Sequence, residues 1–415
     1  MTLFPRPLPR PDVARVDDGV ARAVGEGLLD PGVAQRVRIV ARLARGGTIS
    51  GQALAEELGV SRAAVHKHIE LLRSARVGVS SAPGSGYVLE PPGDHLLPET
   101  ILPLLLGVTL PPAPAKTVVG LPYLYEPRTG STNEMLKSRA QGGLPGGALA
   151  VTDYQVEGKG RLGRTWVCEE GKDLTFSVLL RPSIPPVEAC RLVLAASVAV
   201  AEVLGRIRGL EDRVGIKWPN DVQIDGRKVC GILAEASMDM DSLHWVVIGV
   251  GLNVNGSPAA AIAGRAGVEQ ETGSTSGGDG RTGRGLTRSV LTGNGLTSSV
   301  LTGNGLTSSV LTATSLAEWV GEPLPRGPLL VRLVRQLRRR WAAVEGGRWE
   351  TVRAAYSRRD VLAGSDVVVR SGLGRDLVVA AGRAEGIGPD GGLLVRAADG
   401  TMHSVTAGEV TLAPR

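Results

Sequence analysis

Apolar positions along the chain change period several times, and each change marks an element. Residues 53–58 read as a short helix ending at Gly59, which can take the left-handed conformation of a tight turn. Ser61 follows as an N-cap. Val65, Ile69 and Leu72 then recur at i, i+4 and i+7, giving one apolar stripe and leaving Arg62, Ala63, His66, Lys67 and Arg73 facing outward. Two short strand-like runs, 77–79 and 87–89, flank Pro83-Gly84-Ser85-Gly86 and suit a hairpin. Together these predict a winged helix-turn-helix over residues 34–92. From Ala148 onward, strand-like runs 148–154 and 174–180 alternate with a helical run, 187–207, and return as strands at 222–224, 229–233 and 245–250. That alternation predicts a mixed α/β core. Asp225-Gly226 is a two-residue hairpin signal, because both positions of a type I′ turn need positive φ. Residues 361–412 alternate in short runs broken by glycine turns, including Ser371-Gly372-Leu373-Gly374 and Pro389-Asp390-Gly391-Gly392, and predict a small β-barrel. The overall class expected is α+β.

Residues 1–33 show no sustained period and are expected to be a disordered tail with at most a helical turn. Proline clusters at 90–93 and 110–114 bracket an expected linker, 93–114. The catalytic candidate then runs 115–358 and the C-terminal domain 359–415. Within the former, residues 285–294 recur almost unchanged as 295–304 and in part as 305–312. A ten-residue Gly/Ser/Thr-rich unit lacks the apolar residues that solenoid repeats stack, so 262–312 is expected to be a low-complexity insertion.

A length of 415 residues exceeds one compact core, so several folded units are expected. The formal charge of +6 permits phosphate contact without demanding it. Three cysteines, Cys168, Cys190 and Cys230, have no metal spacing and an odd total, which argues against a zinc site or disulfide framework and fits a reducing cytosol. The longest uncharged apolar stretch, 192–201, is about half of the roughly 20 residues a membrane helix needs. With prolines in place of an apolar signal core at the start, a cytoplasmic protein is expected.

The chemistry concentrates in a few short motifs. Gly158-Lys159-Gly160-Arg161-Leu162-Gly163-Arg164 intersperses three glycines with three cations, so backbone N–H groups can approach an anion while the loop supplies charge. The same letters satisfy the dinucleotide fingerprint and nearly satisfy a P-loop. Both motifs must open a helix, whereas 165–168 and 174–180 read as strands, so an independent anion loop is favoured. Downstream, Lys217-Trp218-Pro219-Asn220-Asp221 gathers a cation, an aromatic and two oxygen-bearing side chains, with Asp221 a candidate for Mg²⁺. The hairpin then delivers Arg227-Lys228, and Lys228 suits a reaction of a carboxylate with an α-phosphate, which runs on positioning and charge. Gly249-Val250-Gly251-Leu252-Asn253 allows close backbone approach. Singly, each has a plainer reading: Lys217 and Lys228 as solvated charges, Trp166 and Trp218 as core, Asp221 as a turn former. The winged module has a plainer reading as a protein-contact hairpin, with DNA binding the reading favoured, and His66 and His68 read as surface polar residues rather than metal ligands.

The ordered set resembles the bifunctional biotin protein ligases that also act as biotin operon repressors. The residues that carry the resemblance are Ser131-Thr132-Asn133, Gln155 with the 158–164 loop and Trp166, Lys217 to Asp221, Arg227-Lys228 with Gly231-Ile232-Leu233, and Gly251-Leu252-Asn253. The resemblance implies a class II synthetase-like ligase domain and an SH3-like C-terminal barrel. It implies that Ser131, Thr132, Asn133, Gln155, Lys159, Gly160, Arg161 and Lys228 bind biotin, with Lys228 and Arg161 catalytic. Trp166, Lys217, Asn220 and Asn253 would serve ATP or the adenylate, and Asp221 Mg²⁺. The product would be biotinyl-5′-AMP, passed to a lysine of a biotin carboxyl carrier protein. Ser61, Arg62, Ala63, His66 and Lys67 would contact operator DNA, with a homodimer when the adenylate is bound. Two departures stand out: Lys159 where some members have arginine, and Ala413 where the family often has arginine. A biotin sensor without ligase activity and a lipoate ligase are the alternative expectations.

Overall fold

The structure is a computed structural model that describes residues 4–82, 84–90, 94–108, 120–261, 313–371 and 377–413. The repeats at 285–312, the Gly372–Gly374 part of one expected turn, Pro83 of the hairpin and the prolines at 91–92 and 111–114 lie outside the described residues.

The N-terminal part comprises helices α1 (Val13–Gly25), α2 (Pro31–Leu43), α3 (Gly51–Leu58) and α4 (Arg62–Ser74) and the antiparallel hairpin β1 (Val79–Ala82) and β2 (Gly86–Leu89). The expected 1–33 tail is corrected here. Asp12 and Asp30 cap α1 and α2, accepting from Arg15 N and Val33 N, and Val13, Val16, Val20 and Ala23 bury one stripe of α1. That period is broken by charges and carried by small residues, which hid it. The expected linker is corrected too: residues 98–106 form a helix, α5 (Pro98–Leu106), started by Pro98 at its first position and packed on α1 and α2.

The central part is a seven-stranded sheet in the order β3-β4-β5-β9-β8-β7-β6, from β3 (Tyr123–Thr129), β4 (Leu149–Gln155), β5 (Leu174–Leu180), β6 (Val214–Lys217), β7 (Asp221–Ile224), β8 (Arg227–Met238) and β9 (Leu243–Leu252). The β3–β4 pair is parallel and the remaining pairs antiparallel. Asp225 and Gly226 take φ of 45° and 80°, as the β7–β8 hairpin requires. The 165–168 run is not a strand; Thr165 makes only an isolated bridge to Lys159. Helices α6 (Thr132–Gln141), α7 (Ala189–Leu204), α8 (Leu316–Val320), α9 (Arg326–Glu345) and α10 (Trp349–Ser357) complete this part.

Strand alternation divides the sheet into two faces. Phe176 and Val178 of β5, Ile232 of β8 and Val250 and Leu252 of β9 point into the main core with α7 and α9. On the other face, α6 covers Leu179, Trp245 and Val247 with Met135, Leu136 and Ala140. Beyond that cover the same face turns to Thr175, Ser177, Gly249, Gly251 and Gly231, which are polar or small. A helix packs on one half of this face, and the other half carries these small and polar positions, with Asn133 and Trp166 lying against its glycines.

The C-terminal part is a five-stranded antiparallel sheet, β13-β12-β11-β10-β14, made of β10 (Asp366–Arg370), β11 (Val378–Ile387), β12 (Leu393–Arg396), β13 (Met402–Val405) and β14 (Glu409–Leu412). It is tied to the central part where Trp218 Nε1 donates to Gly391 O at 3.2 Å and Arg191 Nη2 to Pro389 O at 3.1 Å.

One buried ion cluster joins the segment before α5 to the sheet. Arg326, 3% exposed, donates to both carboxylate oxygens of Asp94 through its backbone N and Nε at 2.7 Å, to Asp153 Oδ1 at 2.8 Å and to Asp173 O at 3.2 Å. Tyr125 donates to the second Asp153 oxygen. Losing one partner of such a cluster costs about 3–5 kcal/mol, because it strands a buried charge.

Candidate active site and nucleic-acid interface

The end of β3, the start of α6 and the end of β4 bring the first group of residues together. Ser131 is the N-cap residue of α6, and Ser131, Thr132 and Asn133 are each under 5% exposed. Gln155 Oε1 accepts from Thr132 N at 2.8 Å and from Thr132 Oγ1 at 3.1 Å. Ser177 on β5 joins them, 2.7 Å from Thr132 Oγ1 and donating to Asn133 Oδ1 at 2.6 Å. Sequence reasoning missed Ser177. Its signal was the alternation Thr175-Phe176-Ser177-Val178, with hydroxyls on one face only.

Asn133 continues the chain by donating to Glu235 Oε2 at 2.8 Å, while Lys137 Nζ donates to Glu235 Oε1 at 2.6 Å and to Glu134 Oε1 at 2.9 Å. Lys159, from the glycine loop, reaches the same Glu134 oxygen at 2.6 Å. Hydrogen bonds from Lys159 and Lys137 hold Glu134 below the usual carboxylate range. A relay of polar groups thus runs from the buried end of α6 to the loop. Glycine at 249 makes room for it: a Cβ there would collide with the Asn133 amide, lying 3.1 Å from Cγ.

The 158–164 loop with Glu157, Thr165, Leu233 and Glu235 lines an open cavity of about 530 Å³. It opens no α-helix; residues 161–163 form one 3₁₀ turn with Leu162 at φ 58°. Arg161 Nη1 donates to Asn220 Oδ1 and its Nη2 to Gly408 O, both at 3.1 Å, and burial holds its guanidinium below the ordinary value. Arg164 pairs with Glu409. The loop therefore touches α6, the Lys217–Asp221 turn and β14. Ala413 donates its backbone N–H to Asp366 O at 2.8 Å.

Lys228 Nζ lies 2.6 Å from Asp221 Oδ1 and 5.9 Å from the centre of the Trp166 ring. Gly231 and Gly251 are directly paired across β8 and β9, and the indole rests on both: a Cβ at 251 would stand 2.7 Å from Trp166 Cζ2 and Nε1, one at 231 3.1 Å from Cζ3. The indole N–H is buried without a partner. Asn220 spends its amide N–H on Ile232 O at 2.7 Å, and Asn253 spends its own on Thr314 O at 2.9 Å. Asn253 thus closes the structure behind the cleft through the chain entering α8. Lys217 sits at the end of β6, half-buried, opposite Asp221 in register.

Asp221 gives one carboxylate, already paired with Lys228, and no group of three His, Cys, Asp or Glu side chains suited to a metal occurs among the described residues. These residues do not build a resident metal site. A Mg²⁺ here would arrive on substrate phosphates, which commonly supply most of its ligands. The three cysteines are free, and burial pushes the Cys168 thiol up to about 11.

In the N-terminal part, Gly59 at φ 64° turns α3 into α4, and Ser61 Oγ caps α4 by accepting from Ala64 N at 3.1 Å. Val65, Ile69 and Leu72 are fully buried, leaving Arg62, Ala63, His66 and Lys67 exposed along the opposite face. Arg73 Nε donates to Val79 O at 2.8 Å and Ile49 bridges Tyr87, so the hairpin is fixed to the helices. His68 is half-buried, and burial followed by the charges of Arg36 and Lys67 lowers its pKa.

Three family models match the chain. The HTH domain covers residues 36–88, the biotin/lipoate A/B protein ligase family 125–253, and the biotin protein ligase C-terminal domain 364–412. The bifunctional ligase/repressor BirA of Bacillus subtilis is 37% identical over 211 residues, 51% of this chain and 61% of that one. Its namesake in Escherichia coli is 37% identical over 218 residues, 52% and 63% of the respective chains. The alignments thus span about three fifths of these curated relatives. Among solved structures, the biotin protein ligase from Aquifex aeolicus in complex with biotin and ATP aligns with a TM-score of 0.49 at 22% identity, over 71% of this chain and 99% of that one. With the matched models in the order HTH, ligase and ligase C-terminal domain, and curated relatives at 37% identity, the chain is similar to the biotin protein ligases in each of its three parts.

Proposed function

We propose that the chain activates biotin with ATP and transfers it to a lysine of a carboxylase carrier domain. The observation that carries this is the convergence of Lys228, Trp166 and the glycine pair Gly231 and Gly251 beside the cationic loop. In this reading a biotin carboxylate oxygen attacks the α-phosphorus, the bond to the β-phosphate bridge breaks, and pyrophosphate leaves. The carrier lysine then attacks the acyl carbon of biotinyl-5′-AMP, forming an amide and releasing AMP.

Lys228 leaves Asp221 to lie between carboxylate and α-phosphate, where its charge offsets both anions. Ser131, Thr132, Asn133 and Gln155 orient the head of biotin, while Lys159, Gly160 and Arg161 close over the acyl-phosphate. Trp166 packs by the adenine, and Lys217, Asn220 and Asn253 shape the nucleotide side. Mg²⁺ enters with ATP, with Asp221 as its protein contact. The central part is read as class II synthetase-like and the C-terminal sheet as an SH3-like barrel.

The helix-turn-helix supports a second activity on the same chain, repression of its own operator, with Ser61, Arg62, Ala63, His66 and Lys67 at the DNA. The adenylate is expected to favour a cytoplasmic homodimer that binds two half-sites. Biotin-dependent exchange of pyrophosphate into ATP tests the chemistry. Exchange with biotin and none with lipoate is expected. Exchange with lipoate alone would reassign the substrate, and none with either would overturn the enzyme.

A further inference from the structure

Away from the cleft, the far side of α9 is a field of arginines. Arg332, Arg335 and Arg339 stand at i, i+3 and i+7, one stripe about 10 Å long at 1.5 Å per residue. Arg206, just past α7, is an electrostatic neighbour of both Arg332 and Arg359, and Arg359 is also a neighbour of Arg358 and Arg340. Burial and this mutual repulsion hold the Arg332, Arg335 and Arg359 guanidinium groups below the ordinary value. The carboxylate packed among them, Glu202, is already used, paired with Arg340 and accepting from Gln336 Nε2 at 2.5 Å. Arg332 Nη2 donates to Arg6 O at 2.7 Å, yet Arg332 Nε and Arg338 Nε are buried without a partner. Among the described residues, no hydrogen bond or ion pair engages the side chains of Arg206, Arg335 or Arg339.

Like charges are gathered here at a cost that folding alone does not require, since an alternating sign would serve a solvated helix better. The apolar residues of α9, among them Leu330, Leu333, Val334 and Leu337, all face the core. Phe4 lies half-buried with its ring centre 4.1 Å from Arg332 Cζ and is taken up by that contact, so the exposed part of the patch is made of arginines rather than of the aromatic anchors that dominate protein interfaces. It offers planar, weakly hydrated forks suited to phosphate oxygens. We propose that the face of Arg206, Arg332, Arg335 and Arg339, edged by Arg358 and Arg359, binds the phosphate backbone of duplex DNA without regard to sequence, as a contact separate from α4. It does not rest on the adenylation reading.

The test is fluorescence anisotropy of a labelled random-sequence duplex with the full chain, without biotin or ATP, from about 50 to about 200 mM salt. Arg206→Gln, Arg335→Gln and Arg339→Gln are combined in one variant, which keeps the alkyl stems and so the packing. Three lost phosphate contacts should make the slope of log K against log salt shallower by about 2 to 3, and weaken binding at low salt by about tenfold or more. Lys67→Gln, on α4, should lower the slope independently, by about 1. An unchanged slope in the triple variant would overturn the proposal. So would binding of polyglutamate that depends on these arginines while duplex binding does not, which would assign the face to an acidic protein. Exchange activity of the triple variant should equal wild type, confirming an intact fold.

Discussion

Gly251→Ala gives the sharpest test of the cleft. The added methyl would lie 2.7 Å from two atoms of the Trp166 indole, where carbon contacts settle at about 3.5–4.0 Å, so the ring must withdraw by about 1 Å. The sheet yields less readily: Gly251, near the end of β9, is paired with Thr175 on one side and Gly231 on the other, so its backbone is held from both sides. Trp166 lies in an irregular segment and is only half-buried, so moving it costs little stability, on the order of 1 kcal/mol or less. Under the adenylation proposed above, its displacement from Lys228 is expensive for rate. A misplacement of about 1 Å can cost about 100-fold, equivalent to about 2.7 kcal/mol of transition-state stabilisation. We expect kcat/KM for ATP in biotin-dependent exchange to fall by about that factor while Tm moves by only a few degrees. Adding Trp166→Ala removes the collision, so the double variant should be no worse than Trp166→Ala alone. Full exchange activity in Gly251→Ala, or losses that simply add in the double variant, would refute the account.

Three further outcomes are expected. Lys228→Ala should reduce exchange by at least about 100-fold with folding intact, since its Asp221 partner is only half-buried; circular dichroism and exchange measured together check it. Arg161→Ala removes bonds to Asn220 and Gly408 and should raise adenylate leakage, read by hydroxylamine trapping, more than it lowers Tm. Asp360 is half-buried with its Oδ2 buried and unpartnered, and burial raises its carboxyl above the ordinary 3.8, so the folded chain holds that proton more tightly and loses stability as pH climbs through 3.8 towards the folded value. Asp360→Asn should therefore raise Tm relative to wild type at neutral pH, with the gain shrinking towards pH ~4; a gain independent of pH would contradict it.

Periodicity revealed the fold wherever one element carried one clear stripe. Val65, Ile69 and Leu72 in α4, the glycine at 59 and the Asp225-Gly226 hairpin are local signals whose physics is complete within a few residues. Helix α1 was illegible because its buried face is built from valine, alanine and Gly19 between charges, and it is stable only against α2 and α5. α5 hid behind its flanking prolines. In the site, the cationic loop and Lys228 declared themselves by composition. Ser177 did not, because a lone serine in an apolar strand gains meaning only when α6 is laid across it. Asn253 was legible as a motif residue, but its bond to Thr314 O crosses 61 positions of sequence, a distance no local pattern spans.

The Arg326 cluster bears on how readily such chains are recombined. Asp94 precedes α5 on the N-terminal side, while Asp153 lies on β4 and Asp173 just before β5, so the arginine grips two parts of the molecule at once. A chimera that swaps in a foreign DNA-reading head should therefore be cut upstream of Asp94. A junction drawn after it would leave a cation with half its counter-charge inside the protein, and the new head would hang as a passenger rather than answer to what the cleft holds.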